Sequence, residues 1–249
     1  MIDLSNKVSI ITGGSRGIGE ACVKLFAGAN SKVAFTYKNA KQKAENLEKD
    51  YQGIVKAYRV DMESEDDINK FVDDVASRFG RIDVLVHNVG IWNDGALDSM
   101  SLDHWNELIR INLTSTFLLC KACSNYMKRN KFGRMILITS TAGQRGEAFH
   151  SHYAASKGGM ISFTKSLAVE LAPFNITVNS VAPGWVDTEM NDGVFADKEY
   201  KENVRKGIPV GRIATAEDIA GPTLFLASDL ARHINGEILN VNGGSVLCG

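Results

Sequence analysis

Four prolines in 249 residues leave no proline-rich linker, and four cysteines are too few and too scattered for a disulfide framework. Cys22, Cys120, Cys123 and Cys248 therefore suit a reducing compartment, and a cytoplasmic location is expected. Positive charge is not in excess either. With 28 Lys and Arg against 29 Asp and Glu, the formal net charge of −1 offers no long-range attraction for nucleic acid or an anionic membrane. No apolar run approaches the roughly 18–20 residues of a membrane span, and the opening MIDLSNK lacks the basic segment and apolar core of a signal peptide. No second Cys or His pair follows Cys120-x-x-Cys123 at ligand spacing, so no metal is expected and the pair reads as two small packing residues within a helical pattern.

What the chain does have is 44% hydrophobic residues, enough to bury a full core, and a single domain over residues 1–249 is expected. Apolar runs that fit buried strands recur at Val8–Ile11, Lys32–Tyr37, Ile54–Val60, Ile82–His87, Met135–Thr139, Ile176–Val181 and Ile238–Val241. Helical patterns stand between them, such as Ile18, Cys22, Leu25, Phe26 and Ala29 on one face and Ile68, Phe71, Val72, Val75 and Phe79 on another. This alternation predicts an α/β fold: one doubly wound, seven-stranded parallel sheet of Rossmann type with helices on both faces. Chemistry is then expected in the loops at the carboxyl ends of the strands. Residues 184–211, the longest stretch without strand character, read as a substrate lid.

The stretch SIITGGSRGIGEA has two readings. Gly13, Gly17 and Gly19 after an apolar run suit a phosphate-binding turn, while Gly13-x-Ser15-x-Gly17 also spells the turn that presents a hydrolase serine. A hydrolase elbow needs an earlier strand and loop to supply oxyanion donors, and only one strand precedes Ser15. Dinucleotide sites, in contrast, are built on the first strand-to-helix turn, where unpaired amides and the helix dipole attract pyrophosphate.

Thr12-Gly13-x-x-x-Gly17-Ile18-Gly19, Asn88-Val89-Gly90, Asn112, Ser140, Tyr153-x-x-x-Lys157 and Pro183-Gly184 stand in the order and approximate spacing of the short-chain dehydrogenases/reductases, which the chain resembles over essentially its entire length. GRIATAEDIA and GEILNVNGG near the end resemble the 3-oxoacyl-carrier-protein reductases and their ketone-reducing relatives most. Two positions depart from the usual pattern, Val89 where an alanine is usual and His87 where an asparagine is frequent. The resemblance implies an oxidoreductase in which Tyr153 is the acid/base, Ser140 polarises the substrate carbonyl, Lys157 lowers the phenol pKa and binds the nicotinamide ribose, and Asn112 helps to hold a relay water. Lys157 lies one helical turn from Tyr153, and a unit charge at about 4 Å and an effective dielectric near 20 supplies on the order of 4 kcal/mol, enough to bring a phenol near neutrality. His150 and His152 flank Tyr153, but no neighbouring carboxylate in the sequence orients either, so both are expected to be loop residues.

Cofactor contacts are expected from Gly13, Ser15, Arg16, Gly17, Ile18 and Gly19, from Asn88, Val89 and Gly90, and from Pro183, Gly184, Val186 and Thr188. Asp61 and its neighbour Met62 belong to the adenine end by resemblance; Asp61 also reads as a helix N-terminal carboxylate beside Glu63 and Asp66. In NAD enzymes an acid ends the second strand and repels a 2′-phosphate. Here Tyr37 takes that place, Lys38 follows and Arg16 lies in the glycine turn, so NADP(H) is the expected cofactor, with NAD(H) the alternative. The expected substrate is a small carbonyl compound, carrier-bound or free. Lys128, Arg129, Lys131 and Arg134 form a basic cluster that either meets an acidic carrier or is a solvated face. Trp92, Trp185, Met190 and Phe195 suggest an apolar pocket wall or ordinary packing. The resemblance also implies a homotetramer built through the long helices around Asn112 and Tyr153. A dinucleotide-sensing protein without catalysis and a serine hydrolase are the rival readings.

Overall fold

A computed structural model describes residues 2–248. The strands are β1 (Val8–Ile11), β2 (Lys32–Tyr37), β3 (Val55–Arg59), β4 (Val84–His87), β5 (Gly133–Ile138), β6 (Ile176–Pro183) and β7 (Ile238–Val241). All pairings are parallel, and the order across the sheet is β3-β2-β1-β4-β5-β6-β7. The chain winds outward from β1 to β3, then returns to place β4 on the other side of β1. The crevice above β1 and β4 is the switch point at which doubly wound sheets bind ligands.

The helices are α1 (Gly17–Gly28), α2 (Lys41–Asp50), α3 (Glu65–Phe79), α4 (Leu102–Ile109), α5 (Ser115–Asn130), α6 (Ala142–Arg145), α7 (Ser151–Leu171), α8 (Asp192–Phe195), α9 (Lys198–Lys206) and α10 (Ala216–Ala227). Period-two alternation sends strand side chains into two separate cores. Ile11, Val86, Ile136 and Ile138 pack beneath α1, α2 and α10 with Phe26, Leu47 and Ile219. Ile10, Leu85, Met135 and Leu137 pack beneath α3, α5 and α7 with Phe71, Leu119 and Met160. Cys120 and Cys123 lie buried in this second core, where burial pushes both thiols up, Cys120 to about 12, so that they act as small apolar packing groups.

Buried Asp83 ties the lower edges of two central strands together, accepting the amide of Val8 at 2.9 Å and both guanidinium bonds of Arg81 at 2.6 and 2.7 Å. Residues 184–211, expected to lack strands, carry α8 and α9, and the amide caps of α9 are taken by Asp197. Among the described residues no helix is long and apolar enough to cross a membrane.

Candidate active site

The first turn shows why its glycines are needed. Gly13 and Gly17 take φ of +65° and +53°, the left-handed region that side chains other than glycine disfavour. A Cβ on Gly19 would stand 2.1 Å from the carbonyl oxygen of Gly13, so Gly19 lets α1 press against the turn. The same small residue brings α1 within van der Waals distance of Asn88 on the neighbouring loop. Arg16, extended at the N-cap of α1, contributes no side-chain cap, which leaves the first-turn amides facing the crevice. Ser15 is buried in this turn and lines the crevice, and among the described residues it has no hydrogen-bonded histidine or carboxylate of the kind that activates a hydrolase nucleophile.

Thr12 fixes the next loop. Its Oγ1 accepts the amides of Asn88 and Val89 at 3.0 and 3.1 Å, so its own proton is free for Nδ1 of His87 at 3.0 Å. His87 Nε2–H then donates to Ser115 Oγ at 3.3 Å, and Ser115 donates to the carbonyl of Ile111 at 2.5 Å. This chain of donors assigns the Nε2–H tautomer. Burial, and then the charge of Lys157, push the His87 pKa down to about 3, so the ring stays neutral.

Asn112 sits in a π-helical turn, residues 110–114, between α4 and α5. Single π turns inside helices are rare, and those that occur are frequent at functional sites. Asn112 Oδ1 accepts from Ile91 N at 2.8 Å, and its Nδ2 donates to Ile91 O and Ser156 Oγ at 3.0 and 3.1 Å. Fully buried, Asn112 stands one layer behind the cleft and holds the Gly90–Ile91 loop to α7. Sequence reasoning foresaw a compensated helix cost there but not these partners.

Ser140 emerges two residues beyond β5, and α7 carries Tyr153 and Lys157 toward it. Ser140 and Tyr153 line the same end of the crevice, with the serine hydroxyl near enough to the phenol to favour its ionised form, and Ser140 Oγ also accepts the amide of Ala142 at 3.1 Å. Their proximity depends on close packing of α6 against α7: a Cβ on Gly143 would lie 2.6 Å from the carbonyl carbon of Lys157. Lys157 is buried, donates to Ile138 O at 2.8 Å, and lies 5.8 Å from the centre of the Tyr153 ring. Burial pushes the phenol up to about 12, with Ser140 acting in the opposite direction and Glu147 adding to the rise. Burial also pushes Lys157 down to about 8. The expectation that Lys157 by itself brings the phenol near neutrality is therefore not met. Loss of hydration outweighs an ammonium that is directed at a backbone carbonyl.

Ser140, Tyr153, Lys157, Pro183, Gly184 and Val186 line one end of the crevice, together with Trp92, Trp185 and Met190. Gly13, Ser15, Arg16, Gly17, Tyr37, Lys38, Asp61, Met62 and Val89 line the other, and Ile18, Asn88, Gly90 and Thr188 border both. The result is one groove across the carboxyl ends of the strands. Phe195 stands behind its aromatic wall, 5.6 Å from Trp185. Arg145 and Glu147, absent from the sequence reading, also line the substrate end; only their place after β5 could have suggested them. His150 stacks on Trp92 at 4.4 Å and lies 2.9 Å from Asp94, a carboxylate that sequence proximity did not reveal. His152 instead pairs with Asn93 at 2.9 Å.

At the far end, Lys38 pairs with Asp61 at 3.0 Å and Glu63 at 3.2 Å, while Arg16 lies 3.6 Å from Glu189. Asp61 also accepts the amide of Glu63 at 3.1 Å, so it combines a turn role with its place on the wall. Of the basic cluster, Arg134 is buried over Phe132 at the start of β5, while Lys128, Arg129 and Lys131 stand at the end of α5, on the side of the sheet opposite the groove.

A family model described as Enoyl-(Acyl carrier protein) reductase matches residues 13–245. The 3-oxoacyl-[acyl-carrier-protein] reductase FabG of Aquifex aeolicus is 41% identical over 248 residues, covering 98% of both chains. Its counterpart from Escherichia coli is 37% identical over 244 residues, again covering 98% of both. The crystal structure of gox2181 superposes with a TM-score of 0.93 at 31% identity, covering 98% of this chain and 96% of that one. Sheet order, glycine turn and full-length similarity agree: the chain belongs to the short-chain dehydrogenase/reductase family, as an oxidoreductase similar to the 3-oxoacyl-carrier-protein reductases.

Proposed function

We propose that the protein reduces a ketone or 3-oxoacyl group to a secondary alcohol with NADPH. The observation that carries this reading is that Ser140 and Tyr153 line the same end of the groove, with Lys157 buried beside them and one helical turn from Tyr153. Two hydroxyls on the same end of the groove suit a single oxygen atom, as in a carbonyl, better than a carbon–carbon double bond. A phenol whose pKa is raised to about 12 is fully protonated at neutral pH and serves as the acid of the reductive direction. A nicotinamide, when bound, supplies the hydride. Ser140 donates to the carbonyl oxygen and polarises it. Tyr153 transfers its proton to that oxygen as negative charge develops there, and the phenolate is reprotonated from solvent. Lys157, aimed past the ring at Ile138 O, stabilises the transient phenolate and is placed to hold ribose hydroxyls.

The fit to a dinucleotide rests on the uncapped amides of α1, the left-handed glycines and the length of the groove. Gly13, Ser15, Gly17 and Ile18 would hold the pyrophosphate, Asp61, Met62, Asn88, Val89 and Gly90 the adenosine, and Arg16 would reach the ribose end of the adenosine. Pro183, Gly184, Val186 and Thr188 would hold the nicotinamide, under a lid formed by residues 184–211. Tyr37 in the usual acidic place, with Lys38 and Arg16 beside it, supports NADP(H). The carboxylates that already pair with both cations are what favour the NAD(H) alternative.

Carrier-bound and free ketones both fit an open groove with an aromatic wall, and the basic residues at the end of α5 stand away from the groove mouth, so they do not favour one over the other. We further infer a cytoplasmic homotetramer assembled through α5 and α7, with Phe117 and Val169 exposed on these helices. A screen of NADPH oxidation across acyl thioesters, simple ketones and sugars tests the proposal. Turnover of a carbonyl class is expected; binding of NADPH without oxidation by any carbonyl would point instead to a sensing protein.

A further inference from the structure

Near the carboxyl end of β2, Arg59 donates to the carbonyl of Lys38 at 3.3 Å, whereas Lys38, Arg16 and Lys43 each have a carboxylate partner, and the partners differ in kind. Lys38 is held by Asp61 and Glu63, and Glu63 is itself engaged by Arg110 at 3.4 Å. These acids belong to the segment that leads from β3 into α3. Glu189 is different. It belongs to the lid, directly after Thr188, and its two oxygens are divided between Arg16 of the glycine turn and Lys43 of the first turn of α2.

Lys43 was not singled out from the sequence, because nothing in its helical surroundings marks it. The structure joins it through Glu189 to Arg16, a residue of the groove wall shared with Tyr37, Lys38 and Asn39. A lid carboxylate bridged by two cations marks a position where an anion is stable.

We propose that Glu189 is a specificity-determining residue: its carboxylate holds the anion position between Arg16 and Lys43 that a ribose 2′-phosphate takes over. The inference rests on the NADP(H) reading above. A phosphate dianion carries more charge and more acceptor oxygens than a carboxylate, and ion pairs as exposed as these are individually weak, so the exchange favours the phosphate. NADH has no group to offer at this position and leaves Glu189 where it stands. Glu189 therefore competes with one cofactor and is indifferent to the other, and Lys43 joins Arg16 as a phosphate ligand.

Titration of the full-length protein with NADPH and NADH, followed by calorimetry, reads this without turnover; 2′-AMP against 5′-AMP isolates the phosphate. Glu189→Gln is expected to tighten NADPH and 2′-AMP about 3- to 10-fold and leave NADH and 5′-AMP unchanged. Lys43→Ala is expected to weaken the 2′-phosphorylated ligands by a similar factor and spare the others. If the native protein prefers NADPH but Glu189→Gln changes neither nucleotide, or both equally, the inference is overturned and the cofactor reading stands. Equal native affinities for NADPH and NADH would overturn the cofactor reading, and the inference with it.

Discussion

His87 shows how much one side chain can organise. Its neutral ring joins Thr12, and through it the Asn88–Val89 amides, to Ser115 at the π turn, so two walls of the groove are held by one imidazole. With a folded pKa near 3 and an unfolded value near 6.5, the unfolded chain binds the extra proton between those limits. Stability contributed by His87 is thus present above about pH 6.5 and is lost as pH falls toward 3, with a slope of up to about 1.4 kcal/mol per pH unit. Denaturant unfolding at pH 7 and pH 4 should show a smaller loss for His87→Asn than for the native chain. Parallel losses would show that the histidine is not held neutral. The sequence exposed His87 only as an unusual residue after an apolar run; its partners lie 75 and 28 positions away, beyond the reach of local pattern.

At the scale of elements, the site depends on α6 meeting α7 without side chains between them. Gly143→Ala would drive a methyl group into the backbone of Lys157, and that backbone cannot yield without moving Tyr153 away from Ser140. A stability loss of about 1–3 kcal/mol is expected, with kcat falling at least tenfold and nucleotide affinity little changed. Thermal unfolding and steady-state kinetics check this; native kcat would show that the contact does not position the pair. The strands were readable within a residue or two, because fully buried parallel strands are continuous apolar runs between turns. The Tyr153–Lys157 spacing was readable for the related reason that four residues make one helical turn. The π turn at Asn112 was not, since the residues that Asn112 bonds, Ile91 and Ser156, lie on other elements beyond the reach of local pattern. Nor were α8 and α9 readable: α9 buries no residue and so carries no apolar stripe.

Across the whole molecule, an all-parallel sheet whose strand order switches sides between β1 and β4 gathers the glycine turn, the Asn88–Gly90 loop, Ser140 and the Pro183–Gly184 loop along one edge. The position of the groove followed from the alternation of strands and helices. Its electrostatics did not, because burial, which sequence spacing does not measure, raises the phenol and lowers the ammonium. The central claim is that this protonated phenol delivers the proton to the reduced carbonyl. Tyr153→Phe tests it most directly, by kcat measured beside NADPH affinity. The account predicts a fall in kcat of about 10²- to 10⁴-fold, the usual worth of a general acid, with affinity within about twofold of native. A variant that turns over at the native rate would contradict it.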